Sequence, residues 1–387
     1  TQNKKTNVKI FKYHKFKFEE PHFLREKDRQ EMLNHKDIVD IMNVSPEKLY
    51  GEIRIVKNGK YDETDDCGYK ADYSKHIASS TLKYKQLIPL LVPGGNSFQH
   101  FLDGSMPKLI QAYEFIKKHP KAKILTKTSA IVNKLIRKLG ITNDILEYSS
   151  SKSYTAEELF LICKTPPVHP DLWEKSRNIF NIDKNKNGSK IIWIDRNGQN
   201  SRNGGRLILN QKEITDELSR MYPDNFVMYD SHDYTLDETI ELFNDAAVIM
   251  GAHGGGLYNL IFAPSNTLVI EFMPVSQPST GIGIPLGPAP NIIWMQSDIL
   301  KQRFWRVSTT PVHGTNFNVN LKDIVSIFDN ARDIKPAISI TYVIPSIVRT
   351  PETLCTTIES ILAATKLGKI LVHRRGDYKC AYFNNSR

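Results

Sequence analysis

The sequence predicts an α/β protein with two helix-covered parallel sheets and an added N-terminal layer, and three observations carry that expectation. At 387 residues and 44.2 kDa the chain is larger than one ordinary core encloses. Apolar strand-like runs alternate with amphipathic helical stretches through most of its length, as in sheets covered by helices. The alternation breaks at Thr165-Pro166-Pro167-Val168-His169-Pro170 and again at the polar run Asp183–Gly188, a hinge candidate. The expected divisions are therefore an irregular N-terminal layer over 1–80, a first α/β domain over 81–184, a second over 185–335, and a tail over 336–387.

Residues 1–80 are polar and rich in Lys, Asp and Tyr, with short apolar pieces such as Leu49–Val56 that read as strands. Gln86–Val92 is the first buried strand, followed by a long amphipathic helix over Phe98–Lys118 that Gly104 and Pro107 interrupt early. Ala122–Leu125 reads as a strand, Ser129–Leu139 as a helix stopped at Gly140, and Ile145–Tyr148 and Glu158–Cys163 as further strands. The second half alternates more cleanly: strand Lys190–Ile194, helix Gln211–Met221, strand Phe226–Tyr229, helix Leu236–Asp245, strand Val248–Gly251 and strand Thr267–Glu271. Thr235-Leu236-Asp237-Glu238 is a capping box, which secures the start of its helix.

Lys and Arg number 52 against 42 Asp and Glu, a formal charge of +10, which suits an anionic partner. The lysines are scattered and no basic stripe with interleaved aromatics occurs, so a small anionic substrate is expected in preference to nucleic acid. Cys67, Cys163, Cys355 and Cys380 lack any CxxC or Cys/His spacing, so neither zinc nor a disulfide framework is indicated and a reducing compartment is the simpler expectation. No apolar stretch approaches the roughly 20 residues that span a bilayer, and the first residues have no apolar signal core. A bacterial or viral-host cytosolic location is the resulting expectation, with the secretory pathway as the alternative if an anchor has been removed.

The most informative stretch is Ala246–Pro264, in which a buried strand runs into His253, then Gly254, Gly255 and Gly256, then a helix start at Leu257-Tyr258-Asn259. Glycines at a strand-to-helix turn let backbone approach a ligand, and the first amides of the helix point at it. A diphosphate fits such a cradle. Thr267–Glu271 ends the next apolar strand in a carboxylate. Asp195, Arg196, Asp230–Tyr234, His253 and Glu271 all fall at carboxyl ends of strands, where open α/β sheets bind ligands.

The block HGGGLYNLIFAPSNTLVIEF resembles the signature of the family 61 glycosyltransferases: HGAGL, then Asn, then an apolar strand ending in Glu. Gly255 stands where alanine is usual and should make the loop more pliable. Arg196, Arg206 and Asn210 match the family's arginine after a strand, second arginine before an apolar pair, and following Asn. Gln211 replaces the usual acid, and the longer interval leaves Arg202 and Arg206 both open as the second arginine. Pro93–Leu109 resembles the other family motif, an Asn before His-Phe, an acid and Pro-x-Leu, with His100 and Asp103 one helical turn apart.

The resemblance implies a GT-B arrangement, two Rossmann-like domains facing across a cleft, and an inverting, metal-independent transfer from a nucleotide sugar such as UDP-xylose, UDP-arabinose or UDP-GlcNAc to a hydroxyl of a glycan or glycoprotein. No resident cofactor is expected. Arg196, Arg202, Arg206, Asn210, His253, Gly254, Gly255, Gly256, Leu257, Asn259 and Glu271 are the candidate donor-binding residues. His253 reads as a hydrogen-bond donor to phosphate or sugar or as a core histidine, and Glu271 as a holder of a ribose or sugar hydroxyl or as a capping carboxylate. His100 with Asp103 is the candidate base pair, either residue serving as the base, against the plainer reading of both as helix caps. Asp65-Asp66 and Asp230–Asp233 read as solvated or loop-capping acids, and Tyr258, Trp193, Trp294 and Trp305 as packing residues. An inactive sugar-binding module is the rival reading. A dehydrogenase ranks last, because no GxGxxG opens the first strand-helix turn. The stretch Ile338–Leu362 resembles the opening strand and helix of a GT-A domain.

Overall fold

The structure is a computed structural model that describes residues 6–34, 42, 50–61, 80–196, 205–275 and 291–331. Two compact units divide the chain, Thr1–Ser339 and Ile340–Arg387. The tail expectations over Ile338–Leu362 lie outside the described residues, as do Asp65-Asp66.

The first unit holds two six-stranded sheets. The first has the order β1-β3-β7-β4-β5-β6, from β1 (Thr6–Lys12), β3 (Tyr50–Tyr61), β7 (Lys152–Cys163), β4 (Ser80–Pro89), β5 (Lys123–Thr126) and β6 (Ile145–Glu147). Strands β7, β4, β5 and β6 run parallel, while β3 pairs antiparallel with both β1 and β7. The region read as an irregular layer thus supplies regular strands to this sheet. At the end of β3, Asn58 and Lys60 are exposed while Gly59 and Tyr61 are buried, the alternation of a strand with one wet face.

The second sheet has the order β2-β12-β11-β10-β8-β9 and is parallel throughout. Its strands are β2 (His22–Phe23), β8 (Lys190–Ile194), β9 (Phe226–Tyr229), β10 (Ala246–Ala252), β11 (Leu268–Pro274) and β12 (Arg303–Thr309). The apolar runs read from the sequence are these strands, since β10 and β11 are buried at every position and both faces must therefore be apolar. After β8 the chain steps outward to β9, then returns to the other side of β8 as β10. The loops leaving β8 and β10 therefore diverge at a topological switch point, the place where a Rossmann-like sheet opens a ligand crevice at its carboxyl edge.

Helices lie between the strands. After β4 come α1's successors in a nearly continuous helical run: α2 (Phe98–His100), a π-helical turn (Phe101–Ser105), α3 (Met106–Gln111) and α4 (Tyr113–Lys118), α1 itself being Glu26–Leu33. The interruption expected at Gly104 is this π turn, a widening often found at functional sites. Then follow α5 (Ala130–Lys138), α6 (Pro170–Ile179), α7 (Gln211–Met221), α8 (Leu236–Asn244), α9 (Ile292–Ile299) and α10 (Leu321–Asn330). Both halves of the capping box at Thr235 and Glu238 are formed. The helix start expected after the glycines is a 3₁₀ segment, Gly255–Phe262.

One apolar cluster joins the two sheets, running from Ile88, Leu102 and Leu109 through Trp173 to Tyr258, Leu260 and Phe262. The buried Arg177 of α6 crosses the same junction and donates from Nη2 to the Ala263 carbonyl at 2.6 Å. Cys163, wholly buried at the end of β7, is disulfide-bonded. This departs from the expectation that no disulfide framework is indicated. Among the described residues no helix is long and apolar enough to cross a membrane.

Candidate active site

Three loops meet at the carboxyl edge of the second sheet: the one after β8 with Arg196 and Arg206, the one after β10 with His253–Gly256, and the α2 turn of the first sheet with Gln99–Asp103. Arg202 lies outside the described residues.

The β10 turn depends on Gly254, whose φ of 157° and ψ of −178° belong to a region that residues with a Cβ avoid. A Cβ there would lie 2.3 Å from Arg196 Nη1 and 3.7 Å from Arg206 Nη1, so both guanidiniums lie against this glycine. The first hydrogen bond of the 3₁₀ segment runs from Leu257 N–H to the Gly254 carbonyl at 3.1 Å, which leaves the Gly255 and Gly256 N–H groups without an acceptor inside the segment. Gly255 differs from Gly254: an added Cβ would meet the Gln99 side chain alone, most closely at Oε1, 3.1 Å away at the flexible end of that side chain. Gly255→Ala is therefore expected to fold and bind as the parent does, while Gly254→Ala should lose about 1–3 kcal/mol of stability and displace Arg196. Tm and affinity for UDP measured on both variants check the contrast.

The arginines are held by backbone. Arg196 Nε donates to the Gly205 carbonyl at 3.3 Å, and Arg206 Nη1 to the His253 carbonyl at 3.1 Å. Arg206 itself is left-handed, with φ of 58° after Gly205 at 70°. That conformation is imposed by a hairpin of β13 (Pro311–His313) and β14 (Asn316–Phe317): Thr315 Oγ1 accepts from Arg206 N–H at 2.9 Å and Asn316 Oδ1 from Leu207 N–H at 3.0 Å. Burial, and then Arg206, push the Arg196 guanidinium down to about 10, and burial likewise lowers Arg206. Two half-buried cations side by side make a site whose electrostatics favour an anion.

Glu271 is fully buried, and both of its carboxylate oxygens are engaged within the fold. Its Oε1 pairs with His253 Nδ1 at 2.7 Å and its Oε2 accepts from Arg306 Nε at 3.1 Å and Nη2 at 3.0 Å. Burial pushes the carboxyl up, but Arg306 and His253 together outweigh burial and hold it below the ordinary glutamate value. Arg306, 1% exposed, also donates from Nη1 to Asn291 Oδ1 at 2.6 Å. His253 is thus neither isolated nor a plain core residue: Nδ1 is held by the carboxylate, and Nε2 has no protein partner among the described residues.

From the first sheet, His100 Nδ1 lies 3.7 Å from Asp103 Oδ1, and His100 is about half exposed, with 49% of its side chain open. The adjacent Asp103 carboxylate raises the imidazole above its ordinary value, against a smaller opposing effect of burial. The Tyr258 hydroxyl donates to Asp103 Oδ2 at 2.8 Å, and Gln99 Nε2 donates to that hydroxyl at 3.2 Å. Tyr258, buried as expected of a packing residue, therefore also ties the acid of the first motif to the glycine segment of the second. Burial and the Asp103 carboxylate push its phenol well above the ordinary range.

Three expected donor-binding side chains are engaged in the fold. Asn210 uses both ends of its amide on Val319, donating to its carbonyl at 2.8 Å and accepting from its N–H at 3.0 Å. Leu257 is wholly buried, and Asn259 donates to the Gly256 carbonyl at 2.9 Å from a buried position. Gln211, where an acid is usual, accepts from Trp193 Nε1 at 3.1 Å and donates to Asp195 Oδ1 at 2.8 Å. Only an amide does both; a carboxylate there would face Asp195. Asp230 accepts from the backbone N–H of His232 at 3.0 Å, the loop-capping role read for it.

Sequence reasoning missed Arg306, Thr315, Asn316 and Gln99. A signal for Arg306 existed: an arginine inside the apolar strand Phe304–Val307 requires a buried anion, and Glu271 is its register partner. His14, His169 and Asp171 lie close enough to share a cation, but His169 Nδ1 accepts from Asp171 N–H at 3.1 Å and Nε2 bonds the His14 carbonyl at 3.0 Å, so both ring nitrogens are engaged.

A Rossmann-like sheet that gathers two arginines, a glycine turn and a histidine at its switch point, and shares that edge with an acid–histidine pair, has the build of a sugar-transferring enzyme. Residues 98–270 match the family model described as Glycosyltransferase 61. Over 74 residues the chain is 31% identical to Protein O-linked-mannose beta-1,4-N-acetylglucosaminyltransferase 2 of Mus musculus, and 30% identical to the protein of the same name in Homo sapiens. Each match covers 19% of this chain and 13% of the relative.

Proposed function

We propose that this chain is an inverting glycosyltransferase of GT-B arrangement, binding a nucleoside-diphosphate sugar at the second sheet and transferring its sugar to a hydroxyl of a glycan or glycoprotein. The observation that carries the reading is the pair Arg196 and Arg206 against Gly254, with the Gly255 and Gly256 amides beside them. In this reading the acceptor hydroxyl gives its proton to His100 or Asp103, and its oxygen bonds to the anomeric carbon from the face opposite the phosphate. The bond from that carbon to the phosphate oxygen breaks, and its electron pair leaves on the diphosphate. The guanidiniums and amides stabilise that charge as it develops, and their backbone tethers hold them in place beforehand.

The relatives' name adds weight to N-acetylglucosamine over a pentose as the sugar, and to an O-mannosylated protein as the acceptor. The disulfide at Cys163 supports an oxidising compartment such as the secretory pathway. A thermal-shift panel of UDP, UDP-GlcNAc and UDP-xylose, each with and without EDTA, tests the donor. A ligand at about 100 times its Kd adds about 2.7 kcal/mol, a Tm rise of about 3–4 °C for a chain of this size. UDP and UDP-GlcNAc are expected to give that rise and EDTA to leave it unchanged. No rise with any nucleotide would sink the proposal, and binding without turnover would leave the inactive-module reading in its place.

A further inference from the structure

We infer that Glu271 and Arg306 are positioning residues of the donor site, acting through His253 by fixing which imidazole nitrogen faces the ligand; this rests on the donor-site reading above. Residues Ile194, Gly251, Glu271 and Arg306 lie level across β8, β10, β11 and β12 in the sheet register, just below the switch-point loops. A lone carboxylate in that dry layer would be costly, and Arg306 makes it tenable by placing both Nε and Nη2 on Oε2. Oε1 is left for His253 Nδ1. An ionised carboxylate only accepts, so Nδ1 is the nitrogen that carries hydrogen and Nε2 is turned away from the carboxylate.

The same residue is pinned a second time by Arg206, whose Nη1 reaches the His253 carbonyl. One residue therefore joins the buried Glu271–Arg306 pair to the arginine that lies against Gly254. Neither Glu271 nor Arg306 touches open space, at 0% and 1% exposure, whereas the side chain of His253, which Glu271 holds, is 14% exposed. Both also lie beyond the segment that matches the family model, which ends at residue 270.

Selectively labelled histidine reports the tautomer by NMR of the imidazole nitrogens at about pH 8, where an ordinary histidine is neutral. The His253 signal is assigned by its loss in His253→Gln, and calorimetry gives the affinity for UDP. The parent is expected to show His253 with hydrogen on Nδ1 alone. Glu271→Gln, whose amide can donate as well as accept, and Arg306→Lys, which keeps the charge but loses the fork, should show mixed tautomers and bind UDP about tenfold more weakly while remaining folded. Hydrogen on Nε2 in the parent would overturn the inference even if neither variant folds. UDP bound equally well by parent and folded variants, with an unchanged tautomer, would overturn it alone. UDP refused by the parent would overturn the donor-site reading together with it.

Discussion

Arg206→Gly is expected to keep the fold and lose the nucleotide. Arginine at this position sits at φ of 58°, a conformation glycine adopts without cost, so the substitution removes the guanidinium and relieves backbone strain together. Charge-assisted hydrogen bonds contribute about 1.5–3 kcal/mol each, so affinity for UDP should fall about 10- to 150-fold while Tm stays level or rises. Arg196→Ala should weaken binding by a similar factor. Calorimetry with UDP and a melting curve on each variant separate the two effects, and undiminished affinity in Arg206→Gly would remove the arginine pair from the donor site. Lysine is not expected to rescue either position, because a point charge cannot reproduce the planar fork.

Asp103→Asn carries the second large effect. A positioned base contributes about 10²–10⁴-fold to a transfer of this kind, and kcat should fall within that range with donor affinity unchanged. The pH profile should move as well. Asp103 raises the His100 imidazole, so removing the charge lowers it, and a base works only when unprotonated. The fall in activity on acidification is therefore expected at lower pH in Asp103→Asn than in the parent. Tyr258→Phe, which deletes the hydroxyl on Asp103 Oδ2 and keeps the carboxylate, should cost far less. Full turnover in Asp103→Asn would strike the pair from the catalytic machinery, and a pH limb that stays in place would exclude His100 as the group it reports.

Much of this architecture was readable from local pattern. Strands β8, β10 and β11 of the second sheet are buried on both faces and so appear as unbroken apolar runs, and α7 occupies Gln211–Met221 as read, with Thr235 and Glu238 setting the start of α8. The first sheet was harder, because β3 and the leading part of β4 alternate lysine with apolar residues and resemble loop in composition. The glycine turn was legible as an anion cradle, since three successive glycines between strand and helix have few other uses. Its neighbours were not. Asn210 carries the spacing of a ligand residue yet holds Val319, and Glu271 carries the position of a ligand residue yet lies sealed between His253 and Arg306.

By itself the sequence determined the alternation of strand and helix, the glycine turn and the residue types able to meet a diphosphate, since these follow from side-chain periodicity and backbone freedom over a few neighbouring positions. Only the tertiary structure decided that β10 returns beside β8, that Arg306 comes level with Glu271, and that Tyr258 joins Asp103. Those contacts link residues 35 to 155 positions apart, and such pairings are selected by the packing of whole sheets and by the need to neutralise buried charge, neither of which leaves a local signature.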